Sequence, residues 1–266
     1  MGKVILITGA SSGFGKATAE RLACKGHIVY GTSRRPQIGE NIRYLQMDVR
    51  DASSVGNGVE KIIKEEGRVD VVICNAGIGI GGSLEFATQE EIQDQMQTNF
   101  MGCVNVCQKV LPYMRKQRAG RIINLSSIGG IMGLPYQGFY SASKFAIEGF
   151  SEALSAEVKG FGITVSIVEP GDFKTGFTAS RVNSQATRDN ADYGESFNRA
   201  LGIIEKEENG GLDPKVLATT IEKIVDSRHP KFRYPVANIE QRLSIMLHSV
   251  LPGNWFVDVL RRYYKV

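Results

Sequence analysis

The sequence is poor in the residues that build metal centres and disulfide frameworks. It contains 4 cysteines and 3 histidines among 266 residues. Neither residue type has the spacing of a zinc site or a disulfide scaffold, so we predict no metal site. Cys103 and Cys107 are instead expected to lie buried on one helix as small apolar residues. No apolar stretch approaches the roughly 20 residues that a transmembrane helix needs, so no membrane span is predicted.

An excess of charge of one sign is also missing. The 32 Lys and Arg residues outnumber the 28 Asp and Glu residues by only a net charge of +4. Pairs such as Arg34–Arg35 and Arg261–Arg262 are too short to form a nucleic-acid surface, and we predict no nucleic-acid partner. No signal-peptide pattern follows Lys3, which makes the cytoplasm the expected location. Without a Pro-, Gly- or Ser-rich linker, residues 1–266 are expected to form a single domain.

Short β-branched runs alternate with helical patterns from the N-terminus to Glu169. This alternation predicts an α/β fold, a Rossmann-type doubly wound parallel sheet with helices on both faces. The predicted strands are Lys3–Thr8, His27–Thr32, Ile42–Met47, Val69–Cys74, Arg121–Leu125, Ile163–Val168 and Phe232–Val236. The predicted helices include Val55–Glu66, Gln89–Arg118, Phe139–Lys159, Ser196–Glu208 and Pro214–Asp226.

The regular pattern fades after Pro170. Residues 172–208 are expected to form a substrate loop or lid, and the polar segment Thr178–Tyr193 within them is predicted to be irregular and mobile. Residues 238–266 are predicted to form a helical C-terminal extension, which leaves two alternatives open. The extension docks on the body of the protein or on a partner subunit, which we favour, or it lies on a lipid surface through Arg261, Arg262 and Lys265.

The segment T-G-A-S-S-G-F-G, Thr8–Gly15, lies between a predicted strand and a predicted helix. Its glycines, Gly9, Gly13 and Gly15, allow a tight turn and a close approach of the backbone to a ligand. The free N–H groups of the helix N-terminus suit a pyrophosphate. The same letters satisfy the G-x-S-x-G nucleophile elbow of hydrolases around Ser11. We reject that alternative because the turn follows the first strand, so that no oxyanion loop precedes it.

The end of the second predicted strand indicates which dinucleotide is bound. Enzymes selective for NAD place an acidic residue there, whereas an arginine accommodates the additional phosphate of NADP. The letters here are T-S-R-R-P, Thr32–Pro36, without an acid. We therefore predict NADP(H), bound by Ser33 and Arg34, against the alternative that the arginines are solvated loop charges.

Tyr140 and Lys144 are spaced so that both side chains lie on one face of a helix. A positive charge near a phenol favours the phenolate, so we expect Lys144 to lower the pKa of Tyr140. A phenol with a lowered pKa exchanges protons closer to neutral pH. The pair is a candidate acid/base centre.

Together these motifs resemble those of the short-chain dehydrogenase/reductase family, in the family's order from Lys3 to Thr175. Further matches are Asp48-Val49, Asn75-Ala76-Gly77, Asn99, Ser127, Pro170-Gly171 and Thr175. Ser127 rather than Ser126 is selected because it lies thirteen residues before Tyr140. The resemblance implies cofactor contacts from Gly9, Ser11, Ser12, Gly13, Phe14, Gly15, Ser33, Arg34, Asp48, Val49, Asn75, Ala76, Gly77, Tyr140, Lys144, Pro170, Gly171 and Thr175.

The same resemblance implies a role for each catalytic residue. Tyr140 is the general acid/base, and Ser127 hydrogen-bonds the substrate oxygen. Lys144 binds the nicotinamide ribose and lowers the pKa of Tyr140, while Asn99 holds a water that connects Lys144 to solvent. Simpler alternatives are that Ser127 caps a turn and that Asn99 bends its helix and satisfies backbone groups.

The substrate pocket is expected beyond the carboxyl ends of the strands, with mostly apolar walls. The wall residues are predicted to be Ile131, Met132, Leu134, Phe173 and Phe177, against the alternative that they belong to the ordinary core. The chain is expected to interconvert a carbonyl and an alcohol on a hydrophobic steroid, retinoid or long-chain substrate, since its P-G-D-F-K-T-G-F segment resembles hydroxysteroid and retinol dehydrogenase-like members. The resemblance also implies a homodimer or homotetramer. The alternative function is a non-catalytic NADP(H)-binding sensor or scaffold.

Overall fold

Parallel strands build the centre of the protein. The computed structural model describes residues 2–266. The strands are β1 (Val4–Ile7), β2 (Ile28–Ser33), β3 (Arg43–Gln46), β4 (Val71–Cys74), β5 (Ile80–Gly81), β6 (Gly120–Leu125), β7 (Ile163–Pro170), β8 (Val182–Asn183) and β9 (Arg233–Val236). Seven of them form one sheet in the order β3-β2-β1-β4-β6-β7-β9, and every neighbouring pair is parallel. The strand order reverses between β1 and β4, which is where open α/β sheets bind ligands.

Helices cover both faces of this sheet, so the predicted doubly wound Rossmann-type architecture is confirmed. The helices are α1 (Gly13–Cys24), α2 (Ala52–Glu66), α3 (Gln89–Met96), α4 (Gly102–Gln117), α5 (Gly138–Val158), α6 (Phe177–Ser180), α7 (Gln185–Asp189), α8 (Gly194–Asn209), α9 (Pro214–Asp226), α10 (Ile239–Val250) and α11 (Gly253–Tyr264). The seven strands predicted from sequence are present, each with ends within two residues of the prediction.

The sheet separates two apolar cores, because successive side chains of a strand point to opposite faces. In β1, Val4 and Leu6 pack with α2, α4 and α5, whereas Ile5 and Ile7 pack with α1 and α9. Both faces of β1 are therefore dry, and its side chains read as a continuous apolar run. The first core also contains the free thiols of Cys74, Cys103 and Cys107, so the predicted burial of the last two is confirmed.

The long helix predicted over Gln89–Arg118 is interrupted at its centre. It begins at Thr88, whose side chain accepts a hydrogen bond from Glu91 N while the Glu91 carboxylate accepts one from Thr88 N, a capping box. A π-helical turn, Gln97–Met101, then separates α3 from α4. Such single turns insert an additional residue and often mark functional positions. The turn contains Asn99.

The prediction that the segment Thr178–Tyr193 is irregular is wrong, whereas its mobility stays a prediction. It contains part of α6, the strand β8, which pairs with β5, and α7. Thr187 is fully buried, and its Oγ1 accepts a hydrogen bond of 3.0 Å from Ser83 N. Other polar side chains of this segment also bond within the protein, as Thr178 Oγ1 does to Glu208 and Ser184 Oγ does to Thr187 N. The sequence shows no apolar period here because hydrogen bonds, not apolar burial, organise the segment.

The C-terminal extension forms the predicted helices, α10 and α11, after β9 has joined the sheet beside β7. Helix α11 buries Phe256 and Tyr264 against the body of the protein, whereas α10 has no buried residue. No helix within residues 2–266 is long and apolar enough to cross a bilayer.

Candidate active site

The turn between β1 and α1 leaves the N-terminus of α1 open to a ligand. Gly9 and Gly13 have positive φ angles of +64° and +51°, a region that glycine adopts without strain. The first turn of α1 contains no acidic residue, and the side chain of its N-cap Ser12 makes no capping hydrogen bond within the described structure. The helix N–H groups and the positive end of the dipole therefore suit a phosphate. This fit supports a dinucleotide pyrophosphate at the turn.

Gly15 serves the packing of the turn rather than the ligand. A Cβ atom at Gly15 would lie 2.3 Å from the carbonyl oxygen of Gly9, so only glycine lets α1 approach β1 so closely. Asn75 then fixes the turn from β4. Its Nδ2 donates to the carbonyl oxygens of Thr8 and Gly9 at 2.8 and 3.1 Å. The amides of Asn75 and Ala76 donate to Thr8 Oγ1 at 2.9 and 3.0 Å.

The end of β2 presents Arg34 to solvent. Ser33 is partly buried and its Oγ accepts a hydrogen bond of 3.3 Å from Arg35 N, while Arg34 forms no ion pair with any residue of the described chain. Asp48, beyond β3, is engaged differently. Its carboxylate bonds Arg50 Nη2 at 2.8 Å, and this hydrogen bond lowers the pKa of Asp48. An unpaired guanidinium therefore stands at the position that distinguishes the two dinucleotides.

Ser127 and Tyr140 converge at the carboxyl end of β6. A Cβ atom built on Gly129 would lie 3.3 Å from Tyr140 Cε1 and 3.5 Å from Ser127 Oγ, so both side chains flank one point. Ser127 also accepts a hydrogen bond of 3.0 Å from Gly129 N at the start of a 3-10 turn. Ser127 therefore caps this turn, as the simpler alternative expects, and the hydrogen bond orients its side chain. Lys144 lies one helical turn beyond Tyr140, with Nζ 5.8 Å from the phenol ring centre.

Burial dominates the electrostatics of this pair. Burial raises the pKa of Tyr140, and the neighbouring Ser127 hydroxyl opposes the rise. The expectation that Lys144 brings the pKa of Tyr140 below its ordinary value is therefore wrong in this structure. Lys144 is only 6% exposed, and its ammonium donates to the carbonyl oxygen of Leu125 at 2.9 Å. Burial lowers the pKa of Lys144 to about 8.

Asn99 connects the segment after β4 to α5 through hydrogen bonds. Its Oδ1 accepts from Ile78 N at 2.8 Å, and its Nδ2 donates to Ile78 O and to Ser143 Oγ, each at 3.1 Å. The side chain thus satisfies backbone groups within a distorted helix, as the simpler alternative expects. Because Ser143 precedes Lys144 on α5, Asn99 also connects the π-helical turn to the helix of Tyr140. Its predicted role in holding a water stays a prediction.

A cavity of about 990 Å³ unites these elements. Every predicted catalytic or cofactor residue lines it except Gly15 and Asn99, which lie behind its wall. The lining residues from the prediction are Gly9, Ser11, Ser12, Gly13, Phe14, Ser33, Arg34, Asp48, Val49, Asn75, Ala76, Gly77, Ser127, Tyr140, Lys144, Pro170, Gly171 and Thr175. The cavity extends from Ser33 and Arg34 at the end of β2, past Tyr140, to Ile204, Glu207 and Glu208 of α8.

The apolar wall is predicted only in part. Leu134, Phe173 and Phe177 line the cavity, whereas Ile131 and Met132 do not. Met132 is 2% exposed and belongs to the core. The 3-10 turn after Ser127 leaves Ser126 and Ile128 on the cavity wall, whereas Ile131 and Met132, just beyond the turn, lie outside it.

The far end of the cavity is acidic, which the sequence did not indicate. Asp172, Glu207 and Glu208 all line it. Glu208 is neutralised by Arg181 and accepts a hydrogen bond of 2.7 Å from Thr178 Oγ1. Asp172 directly follows Pro170-Gly171, which were predicted to contact the cofactor, so its place in the sequence could have predicted that it lines the cavity. The glutamates come from α8, and only the tertiary fold brings them there.

Burial keeps two of these carboxyl groups close to protonation. It raises the pKa of Asp172 to about 6 and that of Glu207 to about 7, and the like charges of neighbouring carboxylates add to both shifts. A cation placed in the cavity favours the ionised forms and lowers both pKa values. This end of the cavity can therefore accept a positively charged group beside an apolar wall.

Known proteins resemble the chain over its whole length. The family model for short chain dehydrogenases matches residues 3–186. The 3-ketodihydrosphingosine reductase of Bacteroides thetaiotaomicron is 57% identical, covering 99% of this chain and 98% of the relative. The human 17-beta-hydroxysteroid dehydrogenase type 1 is 39% identical over 65% of this chain and 58% of the relative.

Solved structures agree with the fold and leave the dinucleotide open. A short-chain dehydrogenase from Streptomyces avermitilis superimposes with a TM-score of 0.85 at 30% identity, covering 100% of this chain and 97% of the other. A short-chain dehydrogenase/reductase from Burkholderia phymatum, solved with NAD, has a TM-score of 0.79 at 27% identity over 92% of both chains. ElxO, solved with NADP, has a TM-score of 0.73 at 28% identity over 89% of this chain and 97% of its own.

Proposed function

This chain belongs to the short-chain dehydrogenase/reductase family of oxidoreductases, and on that premise we propose that it is an NADP(H)-dependent reductase of long-chain amino ketones. The observation that carries the proposal is one cavity lined by two sets of side chains. Ser127, Tyr140 and Lys144 form the first set, and the carboxyl groups of Asp172 and Glu207, at the far end, form the second. The first set suits a carbonyl, and the second suits an amine.

Each residue of the first set has a separate role in reducing a ketone. NADPH, when bound, supplies a hydride to the carbonyl carbon. Tyr140 donates its phenolic proton to the carbonyl oxygen, which becomes the hydroxyl of the product. Ser127 donates a hydrogen bond to the same oxygen and stabilises the negative charge that develops on it. Lys144 would bind the nicotinamide ribose hydroxyls. The raised pKa of Tyr140 keeps the phenol protonated at neutral pH, the form that a reductase needs.

The preference for NADP(H) is supported by the end of β2. An adenosine 2′-phosphate carries negative charge that Arg34 can pair with, and Ser33 can donate a hydrogen bond to it. No acidic side chain occupies the 32–36 segment, where one would bind the ribose hydroxyls of NAD. Asp48 does not take over that task because its carboxylate is engaged by Arg50.

The amino ketone is supported by a relative and by the charge of the cavity. 3-Ketodihydrosphingosine, named in the 57% identical relative, is a long-chain base whose ketone neighbours a carbon that bears an amine. That amine is protonated near neutral pH. Its ammonium would favour the ionised forms of Asp172 and Glu207, while the hydrocarbon chain lies along Leu134 and Phe177. A steroid or a retinoid offers no cation, so it leaves these carboxyl groups without an opposite charge inside the cavity.

NADPH oxidation with matched ketones tests the proposal. We expect turnover with 3-ketodihydrosphingosine and at least tenfold lower kcat/KM with its N-acylated form, because acylation removes the charge that the carboxylates bind, about 1.4 kcal/mol or more. Equal rates for both forms would remove the amine from the proposal. Turnover of steroids alone would redirect it to the hydroxysteroid class. A protein that binds NADPH and reduces none of the panel would instead be the sensor or scaffold.

A homodimer or homotetramer is the proposed assembly, through the faces of α4 and α5, as in the family. Phe145 on α5 is 44% exposed and supports an apolar contact there. Light scattering on the wild type and on Phe145→Glu tests this. We expect an oligomer that the charge dissociates, and a monomeric wild type would exclude it.

A further inference from the structure

The two C-terminal helices, α10 and α11, expose several large apolar side chains. These side chains are Ile239, Leu243, Met246 and Val250 on α10 and Trp255 and Val259 on α11, called here the C-terminal apolar surface. Their exposed fractions lie between 43% and 85%. Scattered apolar residues are common on protein surfaces, but a patch of contiguous ones marks an interaction site.

The pattern on α10 is regular. Ile239, Leu243, Met246 and Val250 follow the i, i+4, i+7, i+11 spacing that aligns side chains along one face of a helix. Such a stripe normally faces a core, yet α10 has no buried residue. The helix is nevertheless well formed, with Asn238 Oδ1 accepting a hydrogen bond of 2.9 Å from Gln241 N at its start. Its apolar face therefore has no partner within the described chain.

Helix α11 holds the surface on the body of the protein. Phe256 and Tyr264 are buried, whereas Trp255 and Val259 of the same helix are exposed. The ring of His248 packs edge-on against Phe256 at 4.8 Å and joins α10 to α11. The exposed face thus belongs to anchored helices, and its direction away from the core is a property of the fold.

We propose that the C-terminal apolar surface docks on the surface of an anionic lipid bilayer, with both helices lying in the plane of the headgroups. The charges fit this partner. Arg242, Arg262 and Lys265 form no side-chain ion pair with any described residue, which leaves them for lipid phosphates. Tryptophan is the residue that interfaces favour, because its ring is apolar and its N–H is polar, and Trp255 is 66% exposed. Neither helix has the length to span the bilayer.

The docking surface adjoins the reaction cavity. Tyr264, on the buried face of α11, lines the cavity, and Gln241 of α10 hydrogen-bonds Asp172 at its acidic end. The same two helices therefore carry the proposed docking surface and line the cavity or contact its wall, a position that suits a substrate with a long hydrocarbon chain. This step of the argument rests on the proposed function, whereas the exposed stripe and the unpaired basic residues do not.

Trp255 makes the test direct because the chain contains a single tryptophan. Its fluorescence is followed while the full chain, without NADPH or ketone, is titrated with vesicles of phosphatidylcholine, with and without phosphatidylglycerol. Co-sedimentation gives the partition coefficient. We expect the emission to move to shorter wavelength with anionic vesicles, and partition about fivefold weaker for Arg262→Glu. Val250→Glu should weaken partition at least tenfold, since it places a charge in the acyl boundary.

Val216→Glu is the matched control, because Val216 is also an exposed valine on a helix, 44% exposed on α9. It adds the same charge and should leave partition unchanged. Thermal unfolding checks that all variants are folded. No emission shift with either vesicle, or equal effects of Val250→Glu and Val216→Glu, would overturn the proposal. So would a dimer that Val250→Glu dissociates in a protein that ignores vesicles, because the surface would then cover a second copy. Reductase activity is absent from this assay, so its result is independent of the proposed function.

Discussion

Lys144 should lower the stability of the protein at neutral pH, and replacing it with methionine should raise stability. The ammonium is almost fully buried, and burial lowers its pKa from 10.5 to about 8. An unfolded chain keeps the proton up to about 10.5, whereas the folded chain releases it near 8. Below pH 8 both states are protonated, and the folded state bears the full desolvation penalty. Between those pKa values the penalty declines as pH rises, and above them it vanishes.

The magnitude follows from the shift. A change of one pKa unit corresponds to about 1.4 kcal/mol, so this shift amounts to about 3 kcal/mol at pH 7. The substitution removes the hydrogen bond from Lys144 Nζ to Leu125 O, and this loss cancels about 1 kcal/mol of the gain in stability. Lys144→Met should therefore increase the free energy of unfolding by about 2 kcal/mol at pH 7. The increase should disappear towards pH 10. The variant should lose activity because methionine cannot bind the nicotinamide ribose. Such a gain in stability at the expense of function is common for active-site residues.

Urea unfolding of the wild type and Lys144→Met, repeated across the pH range from neutral to alkaline, measures the difference. Lys159→Met, which replaces an exposed lysine at the C-terminal end of α5, is the control and should change little at any pH. The difference between wild type and variant isolates Lys144 from the other groups that titrate. A variant less stable than the wild type at pH 7, or a gain that is the same at pH 7 and pH 10, would refute the reasoning.

Three further predictions concern the turn, the dinucleotide and the substrate. Gly15→Ala should destabilise the protein by about 3 kcal/mol or more in urea unfolding, since its Cβ meets Gly9 O. Gly149→Ala should instead stabilise α5 by about 0.5 to 1 kcal/mol, because its Cβ meets no neighbouring atom within 4 Å. A tolerated Gly15→Ala would contradict the packing argument. Arg34→Asp should raise KM for NADPH about tenfold and lower KM for NADH; an unchanged ratio would show that Arg34 is only a solvated charge. Asp172→Asn should raise KM for the amino ketone about tenfold and leave its N-acylated form unaffected. For the wild type, that KM should also rise as pH falls through about 6, where Asp172 becomes protonated; a flat pH profile with an equal loss for both ketones would indicate a purely structural role.

Local patterns were sufficient to predict the sheet, and several predicted residues at its strand ends line the cavity. The apolar run before Thr8, the glycines after it and the N-A-G after β4 are contiguous in sequence, and each fixes one strand end. Strand ends of a parallel sheet meet at one edge, so local signals also predict which residues meet. The resemblance to the short-chain dehydrogenase/reductase family, rather than a local pattern, predicted that Ser127 and Tyr140 meet, and the structure brings their side chains to either side of Gly129.

Tertiary contacts decided what the sequence could not. The acidic end of the cavity needs Asp172 from the segment after β7 and Glu207 from α8, and no periodicity links them. The order in the polar segment comes from hydrogen bonds such as that between Thr187 and Ser83. The pKa of Tyr140 was misjudged because helical spacing describes the distance to Lys144 and not the desolvation of both groups.

Transfer of isotope from cofactor to product tests the central claim most directly. The protein is incubated with 3-ketodihydrosphingosine and NADPH that carries deuterium at its transferable position, and the alcohol is analysed by mass spectrometry. The wild type should yield alcohol that carries one deuterium. Tyr140→Phe should yield none above background while binding NADPH with similar affinity, because the phenol donates the proton and does not hold the phosphates. Unlabelled alcohol from the wild type, or labelled alcohol formed at an undiminished rate by Tyr140→Phe, would contradict the account.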